Sequence, residues 1–166
     1  INAATTGLVT ATAATALTGT AAQINTLVGN EGDSGDKVDL DADYTATISD
    51  TDVAASVLND LNANVPGLIT ATNVTNITGT AAAINTLMGN EGDSGNKINL
   101  NTTFTVTVDA GSVAASHLNT ISGKTTGLVT ATAATTITGT AAAINTLVGD
   151  EGCLLYTSPS PRDDCP

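Results

Sequence analysis

The densest chemistry in this chain lies in ten residues. Asn30, Glu31, Asp33, Asp36 and Asp39 cluster side-chain oxygens on the glycine-rich turn Asn30-Glu31-Gly32-Asp33-Ser34-Gly35. Carboxylate and amide oxygens at that density suit a hard cation, calcium above all. The turn returns sixty residues later with Asn90, Glu91, Asp93 and Asn96, but Asn96 and Asn99 stand where the first copy has Asp36 and Asp39. The spacing is not that of an EF-hand loop. A polar turn that keeps an acidic chain in solution explains the same residues and is the favoured reading. Calcium at Asn30, Glu31, Asp33, Asp36, Asp39, Glu91 and Asp93 is the sharper alternative.

Threonine forms a second set. Thr-x-Thr occurs at Thr10/Thr12, Thr45/Thr47, Thr70/Thr72, Thr105/Thr107 and Thr130/Thr132. Alternation turns each pair outward from a strand, so stacked strands would align them into a flat lattice of methyls and hydroxyls. Such arrays resemble the ice-binding faces of some β-solenoid proteins. The plainer explanation is that Thr suits an exposed strand and pairs well across a ladder.

No catalytic apparatus is legible. His117 is the one histidine, and Val57 takes its place in the preceding copy. Without a second His or a basic cluster, no nucleophile has a base to activate it. The carboxylates recur as repeated surface features, with no pair set apart as acid and base. The expectation is that this is not an enzyme and needs no cofactor, calcium being the one ligand the acidic turns could take.

What must position these residues is a repeat. Thr-Gly-Thr-Ala-Ala-x-Ile-Asn-Thr-Leu begins at Thr18, Thr78 and Thr138. Residues 7–66 and 67–126 align without a gap at 32 of 60 identical positions, and residues 127–152 match 67–92 at 20 of 26. Each copy has two related halves: Ile24-Asn25 recurs as Leu58-Asn59, Ile84-Asn85, Leu118-Asn119 and Ile144-Asn145, at intervals of 34, 26, 34 and 26. The extra length falls in the acidic turn. A unit of about 30 residues lies in the period range of solenoids. With no Trp, one Phe and two Tyr, a compact globule would bury little area per residue, whereas stacked coils need only pack on their neighbours.

Residues 37–48 alternate strictly, with Val38, Leu40, Ala42, Tyr44, Ala46 and Ile48 against polar neighbours, which predicts one half-buried strand. Residues 8–17 predict another. Asp50, Thr51 and Asp52 offer caps for a helix carrying Val53, Ala54, Val57, Leu58 and Leu61, with Ser112 in the same position of the next copy. Thr20 is the candidate cap of the other helix, and Gly29 and Gly123 are candidate stops. The expected fold is therefore α/β: a repeat solenoid of about five coils, one parallel strand segment and one short helix per coil. The Asn after each helical Ile or Leu is expected to bond to its equivalent in the next coil.

Val-Ala-Ala-Ser-x-Leu-Asn (53–59 and 113–119), Lys-Thr-Thr-Gly-Leu-Val (124–129) and Thr-Gly-Thr-Ala-Ala-Ala-Ile-Asn-Thr (138–146) resemble segments of giant repetitive surface or secreted proteins of marine bacteria. The resemblance covers residues 1–152. It implies a structural or adhesive role outside a bacterial cell, and it carries over no catalytic residue.

Residues 153–166 share nothing with the repeat. Cys153-Leu154-Leu155-Tyr156-Thr157-Ser158-Pro159-Ser160-Pro161-Arg162-Asp163 resembles, residue by residue, a translated sequencing adapter. The expectation is a non-native, disordered tail on an array cut at both ends, with self-association through the uncapped ends. A net charge of −12, with three Lys and no Arg before residue 153, makes nucleic acid a poor partner. No apolar run is long enough to insert into a membrane. The expected partners are neighbouring repeats.

Overall fold

A computed structural model describes residues 4–150 and Leu154–Leu155. The described residues are mixed α/β, with five helices and short parallel strands. In order, the elements are β1 (Val9–Ala11), β2 (Ala16–Gly19) and α1 (Ala21–Val28); β3 (Val38–Leu40), β4 (Thr45–Ile48), β5 (Asp52–Ala54) and α2 (Ala55–Asn64); β6 (Ile69–Ala71), β7 (Asn76–Gly79) and α3 (Ala81–Asn90). Then follow β8 (Ile98–Leu100), β9 (Thr105–Val108), β10 (Gly111–Ala114) and α4 (Ala115–Ser122); β11 (Val129–Thr130), β12 (Ala134–Thr138) and α5 (Ala141–Gly149); and β13 (Leu154–Leu155). Half-copies with two strands thus alternate with half-copies of three.

The single strands expected over residues 8–17 and 37–48 are each two. Asp41 breaks the second run: its Oδ1 accepts from Asp43 N at 2.9 Å, and Asn101 repeats the turn with Thr103 N at 2.9 Å. A short acceptor side chain folded onto the backbone two residues on competes with the strand ladder. Ala42 falls in that turn and is exposed, while Val38, Leu40, Tyr44, Ala46 and Ile48 are buried as the alternation requires.

Among the described residues four sheets result, in the orders β1-β3, β2-β4-β6-β8, β5-β7-β9-β11-β13 and β10-β12, with every pairing parallel. The sheets are staggered. A three-strand half-copy lays its first strand on the preceding first strand and its second on the second: β3 on β1, β4 on β2, β8 on β6, β9 on β7. Its third strand has nothing before it and starts a new sheet. The next two-strand half-copy then lies one strand over, with β6 on β4, β7 on β5, β11 on β9 and β12 on β10.

The core runs between strands and helices. Ile48, Leu58, Leu61, Ile69, Ile77, Ile84, Leu87, Ile98, Phe104, Leu118 and Ile121 are fully buried. Each helix packs on the next, α1 on α2 through α4 on α5. Thr20 caps α1 with a reciprocal capping box, its Oγ1 accepting from Gln23 N while Gln23 Oε1 accepts from Thr20 N. Thr80 and Thr140 cap α3 and α5. Gly29 and Gly123 end α1 and α4 as expected. The expected caps of α2 and α4 are a correction. Asp52 and Ser112 lie inside β5 and β10, and the N-cap positions are Ala54 and Ala114, with no side-chain cap. Asp50 instead serves the previous half-copy, where its Oδ2 accepts from Ala21 N at the start of α1 at 2.6 Å.

Leu154–Leu155 pair with β11 as its next parallel strand, and the rest of the expected tail lies outside the described residues.

Candidate functional site

The acidic turns take their place from strand edges. After α1 the chain folds back so that Glu31 bridges Val38 in parallel, with Gly32 N donating to Val38 O at 3.1 Å and Val38 N to Asn30 O at 2.9 Å. The second turn does the same: Glu91 bridges Ile98, and Gly92 N donates to Ile98 O at 3.0 Å. Gly35 and Gly95, with φ of +71° and +64°, make the left-handed bend that a side chain would strain. Glu31 therefore covers the outer edge of β3 and Glu91 that of β8, the last strands of their sheets. An uncovered edge is a template for pairing with another chain. The turns fill that edge within the chain.

The candidate cation ligands are dispersed along this turn. Asn30 Nδ2 is engaged with Thr26 O at 2.8 Å. Asp33, Asp36 and Asp93 are exposed, and Asp39 sits in β3 beside Thr10. Glu91 Oε2 meets Lys124 Nζ at 3.2 Å. The stem of Lys37 lies over Gly32 and that of Lys97 over Gly92, so lysine charge stands at both turns. Among the described residues, no three His, Cys, Asp or Glu side chains come together as a group that could hold a metal ion. Glu31 also acts on Tyr44, whose phenol is held above its ordinary pKa first by burial and then by that carboxylate. The Tyr44 hydroxyl donates to Asn64 O at 2.9 Å.

The threonines form two short files. Thr18, Thr47 and Thr70 stand side by side across β2, β4 and β6, and Asn99 ends the file. Thr78, Thr107 and Thr130 do so across β7, β9 and β11, between Ala54 and Leu155. Thr10 pairs with Asp39, Thr45 with Ala16 and Thr105 with Asn76. Thr12, Thr72 and Thr132 lie exposed in the turns after β1, β6 and β11. The one-strand offset sets Thr47 beside Thr70 rather than Thr72, so the pairs do not align as pairs. Thr18 and Thr78, inside the Thr-Gly-Thr motif, belong to the files and were legible only as residues before a cap.

The asparagine contacts also differ from expectation. Asn59 Nδ2 donates to Ala83 O and Asn119 Nδ2 to Ala143 O, main-chain carbonyls of the next helix rather than neighbouring asparagines. Among the described residues, Asn25, Asn85 and Asn145 make no such cross-helix bond. His117 is half-buried on α4.

Two glycines escaped sequence reading. A Cβ on Gly67 would lie 2.7 Å from Tyr44 O, and one on Gly127 would run into Phe104 O. Here the incoming chain crosses so close to β4 and β9 that only hydrogen fits.

Compared with family models, with curated proteins and with solved structures, the chain gives no match. Among the described residues, no helix is long and apolar enough to cross a membrane.

Proposed function

We propose that this chain is part of a structural repeat array, an α/β solenoid of five half-copies that acts as a spacer or stalk, with an adhesive role open to its exposed faces, in a large extracellular bacterial protein. One observation carries the reading: among the described residues of the repeat, 4–150, every closely packed pair of elements lies within one half-copy or between neighbouring ones. Chains built that way sum local stabilities and nearest-neighbour interfaces, so they can be lengthened without redesign. The acidic turns fit this role as edge covers that repeat with the array, and the threonine files fit it as solvated strand faces. The extracellular setting rests on the sequence resemblance. The reading requires no catalytic group.

Removing one whole copy, residues 67–126, tests the array. The shortened chain should remain cooperatively folded with a lower Tm, because residue 66 then meets residue 127 in the phase it already has. Loss of folding would refute nearest-neighbour construction.

A further inference from the structure

The last half-copy shows what its outer face is shaped to take. Helix α5 repeats α3 at sixty residues. In α3, Ala81, Ile84, Leu87 and Met88 are all buried, and α4 lies against it. In α5, Leu147 is buried, but Ile144 is half-buried and Ala141 exposed; Val148 is 47% exposed where Met88 is 1%. Strand β12 likewise repeats β7. Strand β7 lies between β5 and β9, whereas β12, among the described residues, pairs with β10 alone. Ile77 is fully buried and its equivalent Ile137 only partly so. The edge of β11 is different, since Leu154–Leu155 hold the place that β8 holds beside β6.

What covers this face one copy earlier is β9 and α4, both from a three-strand half-copy. A three-strand half-copy pairs first strand on first and second on second. A two-strand half-copy does otherwise: in both instances it lays its first strand on a second strand and its second on a third. The half-copy that ends in α5 has β11 and β12 but no third strand before its helix to receive it.

We propose that the face formed by β12 and α5 is a docking surface for a three-strand half-copy of the 91–126 kind, and that it rejects a two-strand half-copy of the 67–90 kind. The proposal rests on the array reading above and adds a rule of phase to it. A two-strand half-copy such as residues 67–90, brought to this face, is out of phase with it. The unit that propagates is the sixty-residue pair.

The test inserts residues 91–126 between Asp150 and Glu151 of the full chain and, in a second variant, residues 67–90 at the same point. Hydrogen exchange of the α5 amides is read in each, with the α3 amides of the same molecule as the folded reference. The three-strand insert should slow α5 exchange at least tenfold, towards that of α3, and the two-strand insert should leave it unchanged. Equal protection by both inserts, or none from the three-strand insert, would overturn the rule. Either failure is separate from the whole-copy deletion, which tests the array itself.

Discussion

The side-chain amide of Asn59 donates across 2.9 Å to the main-chain carbonyl of Ala83, and Asn119 repeats the bond to Ala143 at 3.0 Å. Each bond runs from a three-strand half-copy to the two-strand half-copy after it. Replacing Asn59 with Ala should therefore lower stability more than replacing Asn85, by about 1 kcal/mol for one net hydrogen bond. Both sites are helix-interior, so the propensity gain of Ala is common to both and cancels. The buried Oδ1 of Asn59 has no partner, which trims the loss. Urea denaturation of the two variants checks this, and equal midpoints would remove the bond from the interface.

The close approach of Gly127 to Phe104 O makes a second test with its own control. Gly67→Ala and Gly127→Ala should each destabilise by about 1–3 kcal/mol, the usual cost of overpacking. Gly7 is the same residue of the motif, but among the described residues a Cβ there would meet only Thr5 Oγ1, at 3.8 Å. Gly7→Ala should leave Tm nearly unchanged. A similar loss at all three positions would point to backbone conformation rather than crossing distance.

Asp50 accepts from the first turn of α1, and Ala110 stands in its place in the next copy. Ala110→Asp should therefore bring a carboxylate to the start of α3 at Ala81. A charge at a helix N-terminus contributes about 0.3–1 kcal/mol and weakens with salt. A rise in Tm at low ionic strength that shrinks in 1 M salt is expected, and no rise would mean the two copies place this residue differently.

Tyr44 links stability to alkaline pH. Its phenol pKa is raised in the folded chain, first by burial and then by Glu31. The unfolded chain thus loses the phenolic proton at lower pH than the folded one, and stability falls as pH rises from about 10, the unfolded value, towards the folded pKa. Below that window the contribution is fully present. Phe104 occupies the equivalent place in the next copy, so Tyr44→Phe is sterically tolerated. It should lose about 1 kcal/mol at neutral pH with the bond to Asn64 O and show a flatter decline in Tm above pH 10.

Much of the fold was legible in the sequence, for physical reasons that also explain what was not. Ile24, Leu58, Ile84 and Leu118 at helical spacing do mark buried helix faces. Thr20 and Gly29 do bound α1. Alternation found the buried face from Val38 to Ile48 but passed over the turn at Asp41, because an Asx turn leaves the period of two unbroken on either side. The offset between sheets was invisible for a different reason. It depends on Asp52–Ala54 being a third strand, and those residues have the composition of a helix start. Once they pair with β7, the threonine pairs shift by one strand and the caps move with them. The site was legible in composition and not in role. The acidic cluster is where the sequence places it, but its use as an edge cover depends on Val38 and Ile98, seven residues beyond each bridging Glu.

The most direct measurement is small-angle scattering of the chain and of a variant carrying one further whole copy, residues 67–126, inserted after residue 126. An array should grow in one dimension only. Its longest distance should increase by about 10 Å if two added strand spacings set the advance, and by up to about 20 Å if two helix packing distances do, while the cross-section stays constant. Growth of the cross-section with little change in length would contradict a structural array and return the chain to the class of compact domains.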